Sequence, residues 1–235
     1  MYVDTSKYDF IDFGCYVGGS MNFAVKRLGG TSGLGIDRSE EFCAIAKKKG
    51  FDTICSNVQA LTFTKKSVKF SVFSHFLEHL PSLSAAQRML KKAADTSTDF
   101  IFVESPSFDF DTYLKNRGLK FFWSDGCGHH NLLQLHELKN IISTVNAHSY
   151  TVLLEQPFVK DSSSRDIHSV QSPFNVTYYD NCIHPPKPQV KFVKKVFRSF
   201  VVFIWLRPLT HGVRKELLSS RPKFKVALHK NIKKR

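Results

Sequence analysis

Five short groups of residues in this sequence have the types and spacing to do chemistry. The first is Asp12-x-Gly14-x-x-x-Gly18-Gly19, with Cys15 and Tyr16 inside it. Glycines there let the backbone take positive φ and come close to a ligand. The second is Asp37 followed by Arg38. An acid at the end of a strand can accept hydrogen bonds from both hydroxyls of a ribose. The third is Asn57-Val58, an amide beside an apolar side chain. The fourth is Ser74-His75-Phe76-Leu77-Glu78-His79-Leu80, and the fifth is His129-His130. Histidine titrates near neutrality, so a histidine beside a bound alcohol can take its proton.

These groups need elements to position them, and the pattern between them supplies those elements. Phe10, Ile11 and Phe13 form an apolar run that stops at the glycine cluster, as a buried strand ending in a turn does. From Met21 to Leu28 the apolar residues recur at helical spacing, and Gly29-Gly30 ends that helix. Leu34-Gly35-Ile36 makes a second strand with Asp37 at its carboxyl end. Ser39 is placed to cap a helix that Gly50 stops. Further strands are expected at 52–55, 69–73, 100–104 and 150–154, helices at 84–94 and 135–145, and a candidate seventh strand at 175–179. The stretch 107–130 is long for a loop, so it is expected to be functional or to carry a short helix of its own. This alternation predicts an α/β fold: a doubly wound, Rossmann-like, seven-stranded, mostly parallel sheet with helices on both faces, followed by a basic C-terminal extension.

The glycine turn discriminates between ligands. A dinucleotide fold wants G-x-G-x-x-G with a pyrophosphate on the helix N-terminus. Here Tyr16 stands where the middle glycine would be, and Asp12 precedes the first glycine. A carboxylate there would repel a pyrophosphate and suits a ligand that carries an ammonium group, such as S-adenosylmethionine (SAM). The stretch from Asp12 to Asp37 resembles motif I and the following acidic motif of class I SAM-dependent methyltransferases. Ser74 to Leu80 is similar to the S-H-V-L-E-H segment of a large branch of small-molecule enzymes in that family, and His129 to Leu133 resembles its stretch between the fifth and sixth strands. The sequence departs from the pattern at Asn57, where many members have Asp, and at Ser71, where that branch has Asp. The resemblance spans 8–158. It implies a SAM cofactor held by Asp12, Gly14, Cys15, Gly18, Asp37, Arg38, Asn57, Val58, Ser74, His75 and Glu78. It implies methyl transfer to a small-molecule or lipid-linked acceptor, at oxygen in our reading, with His129 and His130 as candidate bases. His75 and His79 come next as candidates. Each histidine also has the alternative reading of a residue that only fixes its loop.

The chain has 235 residues, 34 Lys and Arg against 20 Asp and Glu, and a net charge of +14. All of that charge lies beyond His184, where fifteen Lys and Arg face the lone acid Glu216. This shift predicts a methyltransferase domain over 1–184 and a separate basic extension over 185–235. Residues 191–206, read as a helix, put Phe192, Val196, Phe200 and Phe203 on one face and Lys191, Lys194, Lys195 and Arg198 opposite. Three readings of that helix stay open: docking through 190–206 on an anionic membrane, packing on the domain in place of an N-terminal cover, and RNA binding. No RNA-binding signature accompanies the charge, which ranks nucleic acid last. The rival functions are therefore an RNA methyltransferase and an inactive SAM-fold protein docked on a membrane or partner. No stretch reaches the ~18 apolar residues of a membrane span, and the first seven residues carry no leader pattern. Five widely spaced cysteines read as reduced thiols, and a cytoplasmic protein, peripheral on a membrane at most, is expected. Cys127-Gly128-His129-His130 suggests a metal ligand set, but the sequence holds no second ligand cluster, so no metal is expected.

Overall fold

The computed structural model describes residues 1–126, 128–174 and 178–232. Its eight-stranded sheet comprises β1 (Phe10–Phe13), β2 (Gly33–Asp37), β3 (Asp52–Cys55), β4 (Val68–Ser74), β5 (Ser97–Pro106), β6 (Ser149–Glu155), β7 (Ser199–Trp205) and β8 (Phe224–Asn231). The strand order is β8-β6-β7-β5-β4-β1-β2-β3. The pairs β1–β2, β2–β3, β1–β4 and β4–β5 are parallel. β7 runs antiparallel to both β5 and β6, and β8 is antiparallel to β6. Helices α1 (Gly19–Arg27), α2 (Glu40–Lys48), α3 (Leu83–Thr96), α4 (Leu135–Ser143) and α5 (His211–Leu218) connect the strands. The two faces of the sheet carry separate apolar clusters. Ile11, Phe13 and Val103 pack with Met89 of α3 and Leu138 of α4. Phe10, Phe70, Phe100 and Trp205 pack with Met21 of α1 and Leu217 of α5. The doubly wound expectation holds, with one strand more than the seven expected.

The tail departs from its reading. Residues 191–206 are not a helix: Lys191–Val196 is a strand paired with Val159–Asp161, and the chain then enters β7. Every side chain of β7 from Phe200 to Trp205 is buried. A continuous apolar run with Val201, Val202 and Ile204 is β-branched and hydrophobic on both faces, which suits a central strand better than an interfacial helix. At about 1.5–3 kcal/mol per buried large apolar side chain, these residues contribute on the order of 10 kcal/mol, comparable to the whole stability of a domain. The charge step at 184/185 is therefore not a boundary of the fold, since β7 lies inside the sheet and β8 completes its edge. β7 also takes the seventh place foreseen for 175–179. Residues 175–177 of that candidate lie outside the described residues, while Tyr178 and Tyr179 are not in a strand.

The stretch 107–130 has its own structure. It carries the single-turn helix Asp111–Lys115 and the strand Leu119–Phe121, which pairs antiparallel with Ile167–Ser169. With the Val159–Asp161 and Lys191–Val196 strands it builds a third apolar cluster around Phe108, Phe121, Trp123, Ile167 and Val196. Among the described residues no helix is long and apolar enough to cross a membrane.

Candidate active site

The strand order reverses between β1 and its neighbours β2 and β4, and a crevice outside the carboxyl ends of such strands is where α/β sheets take ligands. A cavity of about 650 Å3 lies there, lined by Gly14 to Tyr16 after β1, Asp37 and Arg38 after β2, Asn57 to Gln59 after β3, and Ser74 to Phe76 after β4. That volume is typical of small-molecule sites.

The β1 turn is built as its glycines require. Gly14 has φ 78°, and a Cβ on it would stand 2.2 Å from Phe76 Cδ2. Gly18, at φ 82°, precedes α1 and packs against Phe51, so it shapes the turn from behind the cavity. Cys15 is buried, and burial beside Asp12 raises its thiol pKa, so it lines the site as an inert side chain. Asp37 ties the turn to β2: Tyr16 N donates to its Oδ2 at 2.9 Å and Ser39 N to its Oδ1 at 3.0 Å. Arg38 lies at the rim. The amide expected against an adenine, Asn57, has its Oδ1 accepting from Gln59 N at 3.0 Å, while Val58 is buried beneath it.

Asp12 lies behind this lining. It is fully buried, with Ser20 Oγ donating to Oδ2 and no hydrogen-bond partner on Oδ1 among the described residues. Burial, opposed by Ser20 and helped by the nearby charge of Asp37, pushes its carboxyl up to about 7. A half-satisfied, reluctantly charged carboxylate under a turn of close-approach glycines fits a ligand that brings a positive charge.

The histidines gather on the β4 side. His75 follows β4 with φ 52° and lines the cavity, as does His79. Glu78 lies between them, fully buried, with Ser105 Oγ donating to its Oε2 at 3.5 Å. His75 Nδ1 lies 3.5 Å from Glu78 Oε1. Burial disfavours the His75 imidazolium, but Glu78 and Glu104 outweigh it and hold its pKa above the ordinary value. From far along the chain, His129 reaches this group, its ring centroid 4.9 Å from that of His79. Burial lowers the His129 pKa against the opposing bond to Trp123 O, which favours the neutral ring. His130 has an exposed side chain and joins through its backbone N, which donates to Glu78 O at 3.0 Å.

Of the residues expected at the cofactor, the fold gathers Gly14, Cys15, Asp37, Arg38, Asn57, Val58, Ser74 and His75 around the cavity, while Asp12, Gly18 and Glu78 stand one layer behind. Three aromatic liners were not among the residues expected at the cofactor: Tyr16, Phe42 and Phe76. Tyr16 and Phe42 meet edge to face at 4.2 Å, a contact that joins the β1 turn to α2. A tyrosine between Gly14 and Gly18 was the signal visible in the sequence, and it takes φ 48° in the turn.

Residues 11–102 match the family model described as "Methyltransferase domain". No curated protein matches the sequence. Among solved structures, the chain is similar to a SAM-dependent methyltransferase from Archaeoglobus fulgidus, with TM-score 0.56 and 16% identity over 83% of this chain and 85% of that one. It is similar to a SAM-dependent methyltransferase from Thermotoga maritima described as a possible histamine N-methyltransferase, with TM-score 0.53 and 14% identity over 86% and 83%. A third, from Methanosarcina mazei, gives TM-score 0.52 and 14% identity over 86% and 93%. At these identities the solved structures speak for the fold.

Proposed function

We propose that this chain, whose residues 11–102 match the methyltransferase-domain model, is a class I S-adenosylmethionine-dependent methyltransferase that transfers a methyl group to an oxygen atom of a small-molecule acceptor. The carrying observation is the cavity at the carboxyl ends of β1 to β4, with a buried acid beneath its glycine turn whose Oδ1 has no partner among the described residues, and histidines along one wall. When bound, SAM supplies an electrophilic methyl group on a positively charged sulfur. In this reading Asp37 accepts from the ribose hydroxyls, and Asp12 and the Gly14 turn face the methionine end. The chain's remaining task is to align the acceptor and exclude water. An alcohol gives up a methylatable oxygen only as its proton is lost or its O–H is polarised, and the His75, His79 and His129 group is what favours oxygen.

The test is incubation of cell extract with the purified protein and isotopically labelled SAM, with small molecules and macromolecules analysed separately by mass spectrometry. Label on the oxygen of a small molecule, absent with Asp37→Ala, is the expected result. Label confined to RNA or protein, or the same small-molecule label with Asp37→Ala, refutes the reading.

A further inference from the structure

We propose that Glu78, His79 and His129 bind a divalent transition-metal ion at the wall of the cavity. A carboxylate oxygen of Glu78 and one ring nitrogen of each histidine lie within 4.8 Å of one another. Sequence spacing hides this cluster because His129 sits in a separate loop, which the fold brings back to Glu78. Two backbone bonds fix the approach, with His130 N and Asn131 N both donating to Glu78 O at 3.0 Å.

The hydrogen bonds around the three side chains match those of a ligand set. His79 Nδ1 is 3.0 Å from Gly128 O, and His129 Nδ1 is 2.9 Å from Trp123 O. A carbonyl oxygen only accepts, so each Nδ1 carries a proton, which in a neutral ring leaves Nε2 as the lone-pair nitrogen. Metal-binding histidines are oriented in this way, with the other ring nitrogen donating to a carbonyl or carboxylate. Gly128, at φ 70°, stands close under the His79 ring, where its Cβ position would lie 3.5 Å from Nδ1. Glu78 is the complementary observation. It is fully buried, and its Oε1 has no hydrogen-bond partner among the described residues. His75 Nδ1 at 3.5 Å is at ion-pair distance only. A buried carboxylate with an unsatisfied oxygen, clustered with two imidazoles, is stabilised by a cation.

Two imidazoles and one carboxylate leave coordination positions open, as in catalytic zinc sites and in two-histidine-one-carboxylate iron sites. Metal–ligand bonds of about 2.0–2.2 Å set neighbouring donors roughly 3–3.5 Å apart, so the donors draw together by about an ångström on binding. The exposed His79 side chain has the freedom to make that movement. His79 also lines the cavity, so an oxygen of a bound molecule can fill an open position. That last step rests on the methyl-transfer reading, whereas the metal site does not. A ligated Nε2 cannot also accept a proton, so in this arrangement His129 is a ligand, and the ion takes over polarisation of the acceptor's oxygen.

The experiment is titration of tag-free, metal-stripped full-length protein with Co2+, followed by visible absorption and calorimetry. The wild-type chain is expected to take up one Co2+ with ligand-field bands that Zn2+ displaces. His79→Ala and His129→Ala are each expected to weaken Co2+ binding roughly 100-fold or more, since loss of an outer partner alone costs 10–100-fold. Glu78→Gln, at a fully buried site, is interpreted only if it folds; the two histidine variants carry the test without it. No stoichiometric Co2+ binding, or undiminished binding in both histidine variants, overturns the site. SAM calorimetry on the same samples reports separately on the methyltransferase reading, because SAM binding retained without Co2+ binding refutes the metal alone.

Discussion

Asp12→Asn separates the electrostatics of this site from its shape. The Asp12 carboxyl is raised from 3.8 to about 7, mainly by burial. The native state therefore binds this proton more tightly than the unfolded chain does. A group raised in this way contributes its full stability below the unfolded pKa and loses it as pH rises through the folded pKa. The difference of about three pKa units, at 1.36 kcal/mol each, is worth about 4 kcal/mol, nearly all of it lost between about pH 4 and pH 8. Asparagine does not titrate. Leaving its amide poorly paired costs about 1–3 kcal/mol, but that cost is the same at every pH. Subtracting the two stability curves, measured by urea unfolding without ligand, cancels the other titrating groups. The wild type should lose about 4 kcal/mol relative to Asp12→Asn across that window. A cationic ligand reverses the relation: SAM binds the ionised carboxylate better, so the ratio of wild-type to variant affinity should rise with pH through about 7. Parallel stability curves for the two proteins would refute the reasoning, because Asp12 would then ionise as easily folded as unfolded.

Two further outcomes test the scaffold. Gly14→Val puts a side chain where φ is 78° and Phe76 Cδ2 is 2.2 Å from the Cβ position, so SAM affinity should fall at least tenfold by calorimetry while far-ultraviolet circular dichroism stays native. A chain ending at His184 lacks β7 and β8 and should fail to show a cooperative thermal transition, since β5 and β6 lose the strand that joins them; a folded, SAM-binding product of that length would return the tail to the status of an appendage.

The part of the site legible in the sequence is the part built from neighbours in sequence. Asp12, Gly14 and Asp37 sit on one strand–turn–helix–strand unit, where a glycine cluster and a strand-end acid report their own conformation. The parallel strands β1 to β5 were readable for the same reason, each being a short apolar run set between turn and helix signals. What was hidden depends on long-range pairing. His129 meets His79 only because the chain between 107 and 130 folds back across the β4 end, and no local pattern encodes that return. β7 was misread because its apolar residues also satisfy helical spacing when 191–206 is taken as one segment. The segment breaks at Phe197-Arg198, where Arg198 turns to pair with Asp166 and its Nη1 donates to Pro157 O at 2.9 Å.

Part of the charge step that suggested a separate extension has a structural account. Arg207 pairs with Asp99 at 2.8 Å beside the sheet. Lys225 and Lys230 lie exposed on β8, an edge strand whose unpaired side would otherwise invite another chain, and lysines on such an edge oppose that pairing. Arg221 reaches inward: its guanidinium pairs with Glu104 and stacks 3.9 Å over the Phe23 ring. Glu104 O in turn accepts from His75 N at 2.9 Å, at the start of the loop that carries Glu78 and His79. A residue from the basic tail thus braces the β5 end against which the histidine wall is hung. Part of the tail's positive charge therefore belongs to the construction of the domain, and Arg221 bears directly on the site.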